Sequence, residues 1–96
     1  MSYKLRFKRD AKKEWDKLDH NIKLVFLKKL EERLRNPHVK GARLRQLKGC
    51  YKIKLRRARY RLVYQVRDDE LVVSVIAIGK RDKNRAYRLA MKRLNI

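Results

Sequence analysis

Two runs of strict alternation stand close together between Cys50 and Val66, and they constrain the chain more than any other feature. Tyr51, Ile53 and Leu55 alternate with Lys52, Lys54 and Arg56; Tyr60, Leu62, Tyr64 and Val66 alternate with Arg61, Val63 and Gln65. Period-two alternation marks half-buried strands. An antiparallel hairpin is expected, and its register follows from the pattern, because a slip of one residue turns every side chain over. Pairing Leu55 with Tyr60 sets Ile53 against Leu62 and Tyr51 against Tyr64, which makes one apolar face. The same register sets Lys54 across from Arg61. Arg56, Arg57, Ala58 and Arg59 are left as a four-residue loop, a length often built on a type I turn that tolerates ordinary residues.

The other face of this hairpin is costly for a sheet. Like charges directly opposite destabilise a pair by up to about 1 kcal/mol, yet Lys52, Lys54, Arg56, Arg59 and Arg61 gather there. A solvated face that resists edge aggregation needs only single charges. A surface for polyanion, most naturally nucleic-acid phosphate, explains the cluster better. The wider sequence agrees. From Arg33 through Arg67 there is no Asp or Glu, although the chain has ten acidic residues. The formal net charge is +20 on 96 residues, which implies a polyanionic partner, an acidic protein partner, or both.

Length suggests one domain spanning residues 1–96. Hydrophobic content of 44% excludes a disordered basic tail. No apolar run approaches the roughly 20 residues that span a bilayer, and no membrane partner is expected. The opening Met-Ser-Tyr-Lys-Leu-Arg-Phe lacks the apolar core of a signal peptide. A single cysteine, Cys50, cannot staple the fold, so a reducing cytoplasm is the expected compartment.

Along the chain, Tyr3 to Lys8 alternates as a first strand. Asp10 is the expected cap of a helix bearing Ala11, Trp15 and Leu18, with Trp15 a core anchor. Asp19 or Asn21 caps a second helix with a stripe of Ile22, Phe26, Leu30 and Leu34, ended by Asn36-Pro37. His38 to Gly49 reads as a loop with a short strand at Ala42 to Leu47. Asp68-Asp69 is a turn. Leu71 to Gly79 is apolar on both faces, apart from Ser74, and predicts a central strand. Asp82 is the expected cap of a last helix with Ala86, Tyr87, Ala90 and Leu94. The predicted class is α+β: a small single domain, β-α-α-β-β-β-α, with a mostly antiparallel four-stranded sheet. Two N-terminal helices lie on one face, and a C-terminal helix follows, as in microbial ribonucleases. The basic hairpin face is either open or partly covered by that last helix, and the partner of the first strand stays open.

Familiar catalytic sets are missing. His20 and His38 lack metal-site spacing, one cysteine excludes a Cys-rich zinc site, and the three glycines are isolated. The residues do meet a family. Cys50-Tyr51-Lys52-Ile53-Lys54-Leu55-Arg56, Tyr60-Arg61-Leu62-Val63-Tyr64-Gln65-Val66, Gly79-Lys80-Arg81 and Tyr87 closely resemble the RelE toxins of the RelE/ParE toxin–antitoxin superfamily. The resemblance runs the length of the chain and includes Lys13-Glu14-Trp15 and Lys28-Lys29-Leu30. One departure is Arg57-Ala58-Arg59, where family members commonly carry a small, often glycine-containing turn.

The resemblance implies a ribosome-dependent messenger-RNA endonuclease that cuts in the ribosomal A site and inhibits translation. The family's working positions match Lys52, Lys54, Arg61, Arg81 and Tyr87. Arg45 matches an RNA-binding position, and Arg43, Lys48 and Arg56 extend the RNA-binding surface. No metal and no cofactor are implied. The implied partners are a cognate acidic RelB-like antitoxin, the ribosome with its messenger and ribosomal RNA, and promoter DNA bound by the toxin–antitoxin pair as a repressor. The alternatives are a non-catalytic basic RNA- or DNA-binding module, and a relative that poisons a different target such as gyrase. Cleavage by 2′-hydroxyl attack needs a base, and a free lysine, with a pKa of roughly 10.4, stays protonated at neutral pH and is a poor base unaided. The cationic field around Lys52 and Lys54 favours loss of a proton from one of them.

Overall fold

The computed structural model describes residues 2–95. Its elements run β1 (Lys4–Phe7), α1 (Arg9–Asp16), α2 (His20–Arg35), β2 (Cys50–Leu55), β3 (Tyr60–Arg67), β4 (Val72–Lys80) and α3 (Arg85–Arg93), with single 3-10 turns at Lys40–Ala42 and Asp82–Asn84. The sheet order is β1-β4-β3-β2. β2 and β3 pair in the register expected from alternation, Tyr51 with Tyr64, Ile53 with Leu62, Lys54 with Arg61 and Leu55 with Tyr60. β4 is central, antiparallel to β3 and parallel to β1. The parallel pair resolves the partner of the first strand. It needs a long crossover, which α1, α2 and the hairpin supply.

Both faces of the sheet are apolar, and each buries a different layer. Tyr51, Ile53, Leu55, Leu62, Tyr64, Val73, Val75 and Ile78 pack against Ala11, Trp15, Phe26 and Leu30 of α1 and α2. Trp15 lies between Phe7 and Phe26, with ring centroids 5.2 and 6.3 Å away, and is the anchor its helical stripe predicts. On the opposite face, Leu47, Cys50, Val63, Ile76 and Ala77 pack against Ala86 and Ala90 of α3. An irregularity between Val63 and Tyr64 advances the β4 register by one residue, from Ala77 to Val75. The bulge sends the neighbours Ile76 and Ala77 to the same side, thickening the patch on which α3 sits. Gly79 completes the seat: a Cβ there would lie 3.4 Å from the Ala86 nitrogen.

Several local expectations are corrected. Helix α1 starts two residues earlier than a cap at Asp10 would set it. Lys8 is its N-cap, and Asp10 sits in the first turn, where its charge still opposes the helix dipole. Asp19 holds the N-cap position of α2 without a side-chain bond. Asp82 opens a 3-10 turn instead of capping α3, whose N-cap is Asn84. Leu71 adopts φ 54° in the turn before β4 and is 40% exposed, so the strand begins at Val72. In place of a strand at Ala42 to Leu47 there is a single bridge between Arg43 and Tyr51. The Arg56 to Arg59 loop closes without glycine by placing Arg59 at φ 56°.

β4 outruns β1, leaving backbone groups of a central strand without a strand partner. Side chains satisfy them. Glu14 Oε1 accepts from the Ile78 N–H at 3.1 Å, and Arg93 Nη1 donates to the Ile76 carbonyl at 2.9 Å. The two side chains also pair through both carboxylate oxygens, at 2.8 and 2.9 Å. This clamp ties the end of α3 to α1. Removing one member orphans the other in a partly buried place, at a cost of about 2 kcal/mol. Arg93→Ala is therefore expected to lower the melting temperature by roughly 8–16 °C in a domain of this size, read by circular dichroism.

Candidate RNA-cleavage site

Alternation aims Cys50, Lys52 and Lys54 of β2, and Arg61 and Val63 of β3, at the α3 side of the sheet. The apolar members Cys50 and Val63 lie under α3. The charged members continue beyond it, so the last helix covers part of the basic face and leaves the rest open. Cys50 is fully buried, and burial pushes its thiol up to about 11, which removes it as a nucleophile.

The expected site residues fall into adjoining hollows. Lys54, Arg56, Arg59, Tyr60, Arg61 and Arg81 line a cleft of about 260 Å³. Lys52, Tyr87, Arg43 and Arg45 line a second of about 340 Å³. Arg43, Arg45, Lys48 and Gly49 line a third of about 450 Å³. The guanidinium of Arg61 lies 5.3 Å from the ring centroid of Tyr87 and so stands between the first two. Arg81 reaches the first cleft because β4 ends beside the hairpin loop, where the Arg81 N–H donates to the Arg59 carbonyl at 2.8 Å.

The electrostatics single out one lysine. Lys54 is held below the ordinary lysine pKa, first by the charge of Lys52, then by Arg61, slight desolvation, Arg56 and Arg81. Its position opposite Arg61 is the source of the second effect. β2 is an edge strand and is steadied from the other side: Arg33 Nη1 donates to the Lys52 carbonyl at 3.2 Å and to the Tyr64 hydroxyl at 2.8 Å. Tyr64 in turn donates to the Pro37 carbonyl at 2.8 Å.

His38 is structural in its contacts. Its ring nitrogens meet the Tyr51 hydroxyl and Asp68 Oδ1, each at 2.8 Å, away from the basic clefts. Among the described residues no three His, Cys, Asp or Glu side chains gather as a metal site. No described helix is long and apolar enough to cross a membrane.

The sequence placed Arg59 on the basic face without naming it a working residue, and did not single out Asn84 at all. Arg59 joins the first cleft because its left-handed backbone turns the loop back over the strand ends. Asn84 accepts from Arg61 Nη1 at 3.2 Å. Only the basic run around the hairpin pointed to Arg59, and nothing local pointed to Asn84.

The described residues thus form a mixed four-stranded sheet with a helical pair on one face, one helix on the other and a cationic cleft beside that helix. The model of the ParE toxin of type II toxin–antitoxin systems matches residues 5–85, and the chain belongs to this RelE/ParE toxin family. It is 47% identical over 94 residues to the mRNA interferase toxin RelE of Escherichia coli K12, an alignment covering 98% of this chain and 99% of that one. The mRNA interferase RelE of Shigella flexneri matches equally. Among solved structures, a doubly substituted E. coli toxin RelE in the free state superposes with a TM-score of 0.90 at 46% identity, covering 98% of this chain and 99% of that one. The same toxin in complex with a peptide of its antitoxin RelB superposes at 0.82, also at 46% identity, covering 94% and 95%.

Proposed function

We propose that this chain is a metal-independent endoribonuclease toxin that cuts messenger RNA in the ribosomal A site and is neutralised by an acidic RelB-like antitoxin. The observation that carries this reading is Lys54, held below its usual pKa and set directly opposite Arg61 in a cleft with Arg81. The downward shift favours the neutral amine that a base requires. The names and the near-complete coverage of the relatives at 47% identity support the same substrate class.

In this mechanism neutral Lys54 takes the proton from the ribose 2′-hydroxyl. The 2′-oxygen attacks phosphorus, and the bond to the 5′-oxygen breaks. The products are a 2′,3′-cyclic phosphate and a 5′-hydroxyl end, the latter completed by a proton from water. Arg61 holds the phosphate in its fork as charge accumulates, and Arg81 supports the departing oxygen. Arg81 acts through its field, since a guanidinium keeps its protons. Lys52 keeps Lys54 poised. Tyr87 supplies a face on which a base stacks and splays the strand. Arg43, Arg45, Lys48 and Arg56 carry flanking phosphates.

The site has no strong acid or base, so much of its rate must come from a substrate already held in a productive pose. The decoding centre supplies such a pose. The acidic antitoxin follows from the net charge of +20, which favours fast capture by an anionic chain. The pair would act in the cytoplasm, repressing its own promoter. Adding purified protein to translating ribosomes and mapping messenger ends tests the proposal. Cuts within the codon at the A site, ending in cyclic phosphate, are expected. Intact messengers with the protein bound would leave only a non-catalytic RNA-binding module.

A further inference from the structure

Arg61 is occupied on two sides by the segment that leads into α3. Asn84 Oδ1 takes a hydrogen bond from its Nη1 at 3.2 Å, and the Tyr87 ring lies under its guanidinium at 5.3 Å. The backbone that brings Asn84 there is unusual. Lys83 and Asn84 both adopt the left-handed conformation in succession, at φ 53° each. Ordinary side chains avoid that region, and asparagine tolerates it better than most. Tyr87, meanwhile, has its hydroxyl buried with no hydrogen-bond partner among the described residues. The left-handed pair places Asn84 Oδ1 on Arg61 while the Arg61 guanidinium lies against Tyr87.

These two groups cannot stay together during the reaction as proposed above. Arg61 must turn to the phosphate, and the Tyr87 face must be clear for a base. We propose that Asn84 is a positioning residue that parks Arg61 on Tyr87 while no RNA is bound, so that incoming RNA releases the phosphate clamp and the base platform together. The inference rests on the roles assigned to Arg61 and Tyr87 under the proposed function. Its consequence is a tax on binding. RNA meets a competent site only in the fraction of molecules whose Arg61 has left Asn84, which raises the apparent dissociation constant by the reciprocal of that fraction. Once RNA is bound, Asn84 has no further part, so turnover at saturation is untouched.

Asn84→Gly and Asn84→Asp test this, since both tolerate the left-handed backbone while one deletes the acceptor and the other charges it. On ribosomes programmed with a messenger and an open A site, Asn84→Gly is expected to lower KM by about threefold, the scale of one neutral hydrogen bond. Asn84→Asp is expected to raise KM by roughly tenfold, through a charge-assisted bond. kcat should stay constant in both. Equal KM values, or a change confined to kcat, overturn the inference and leave the nuclease reading standing. A second arm measures binding of a messenger carrying 2′-deoxyribose at the scissile nucleotide. The affinity order Gly, Asn, Asp should hold, and should vanish when Arg61→Ala is added. If no variant cleaves but that order appears and vanishes as described, the nuclease reading fails and the parking role survives. If the order is absent, or persists without Arg61, the parking role is wrong.

Discussion

Lys54→Arg is expected to cut messenger cleavage by about a thousandfold, the usual worth of a general base. Binding to programmed ribosomes should stay within about threefold, because the substitution keeps the positive charge that attracts phosphate. Arginine cannot give up its proton at any accessible pH, so the substitution removes one function and leaves the other. A variant that still cleaves at near the normal rate would show that Lys54 is not the base. The pH dependence gives the same residue a second test. The reactive form is the neutral amine, so kcat/KM should rise with pH and level off at a pH below the ordinary lysine range, since the free site holds Lys54 down. Lys52→Met removes the largest cause of that depression. The levelling point should then move to higher pH, and activity near neutrality should fall.

Arg61→Ala is the second large effect. Loss of the group that meets developing phosphate charge should cost about 10²–10³ in cleavage. Ribosome binding, which draws on many cations, should lose far less, on the order of a single phosphate contact. Measured side by side, these losses separate a catalytic clamp from an adhesive surface. Equal losses would mean that the cleft merely grips RNA.

The hairpin was legible because its two signals agree. Apolar alternation and charge alternation both select one register, and that register alone places Lys54 opposite Arg61. β4 was legible as central from its apolar run, and Trp15 as core from its helical neighbours. The rest depends on groups far apart in sequence. Nothing near Tyr3 or Phe7 says that β1 lies parallel to β4. The bulge turns Ile76 and Ala77 to the side where α3 packs, together with Cys50 and Val63, and no local pattern announces it. Asp10 and Asp82 misled because a capping residue in a suitable place is only a local preference. At Asp82 the chain must also bring Asn84 and Tyr87 over Arg61, and that tertiary demand overrides the local one. Nothing local to Arg93 or Glu14 announces their pairing, because it answers the ragged edge of β4, whose backbone groups they bond.

The position of β4 in the chain has a consequence for how the protein is made. This hub is the last strand to be synthesised, yet both β1 and β3 hydrogen-bond to it. Until it emerges, the first strand has no neighbour, the paired helices have only part of the surface they cover, and the basic hairpin has no backing. The contacts joining early and late segments make such topologies slow to assemble. A nascent copy thus lacks the assembled sheet, and the cleft built on it, until most of the chain has been made.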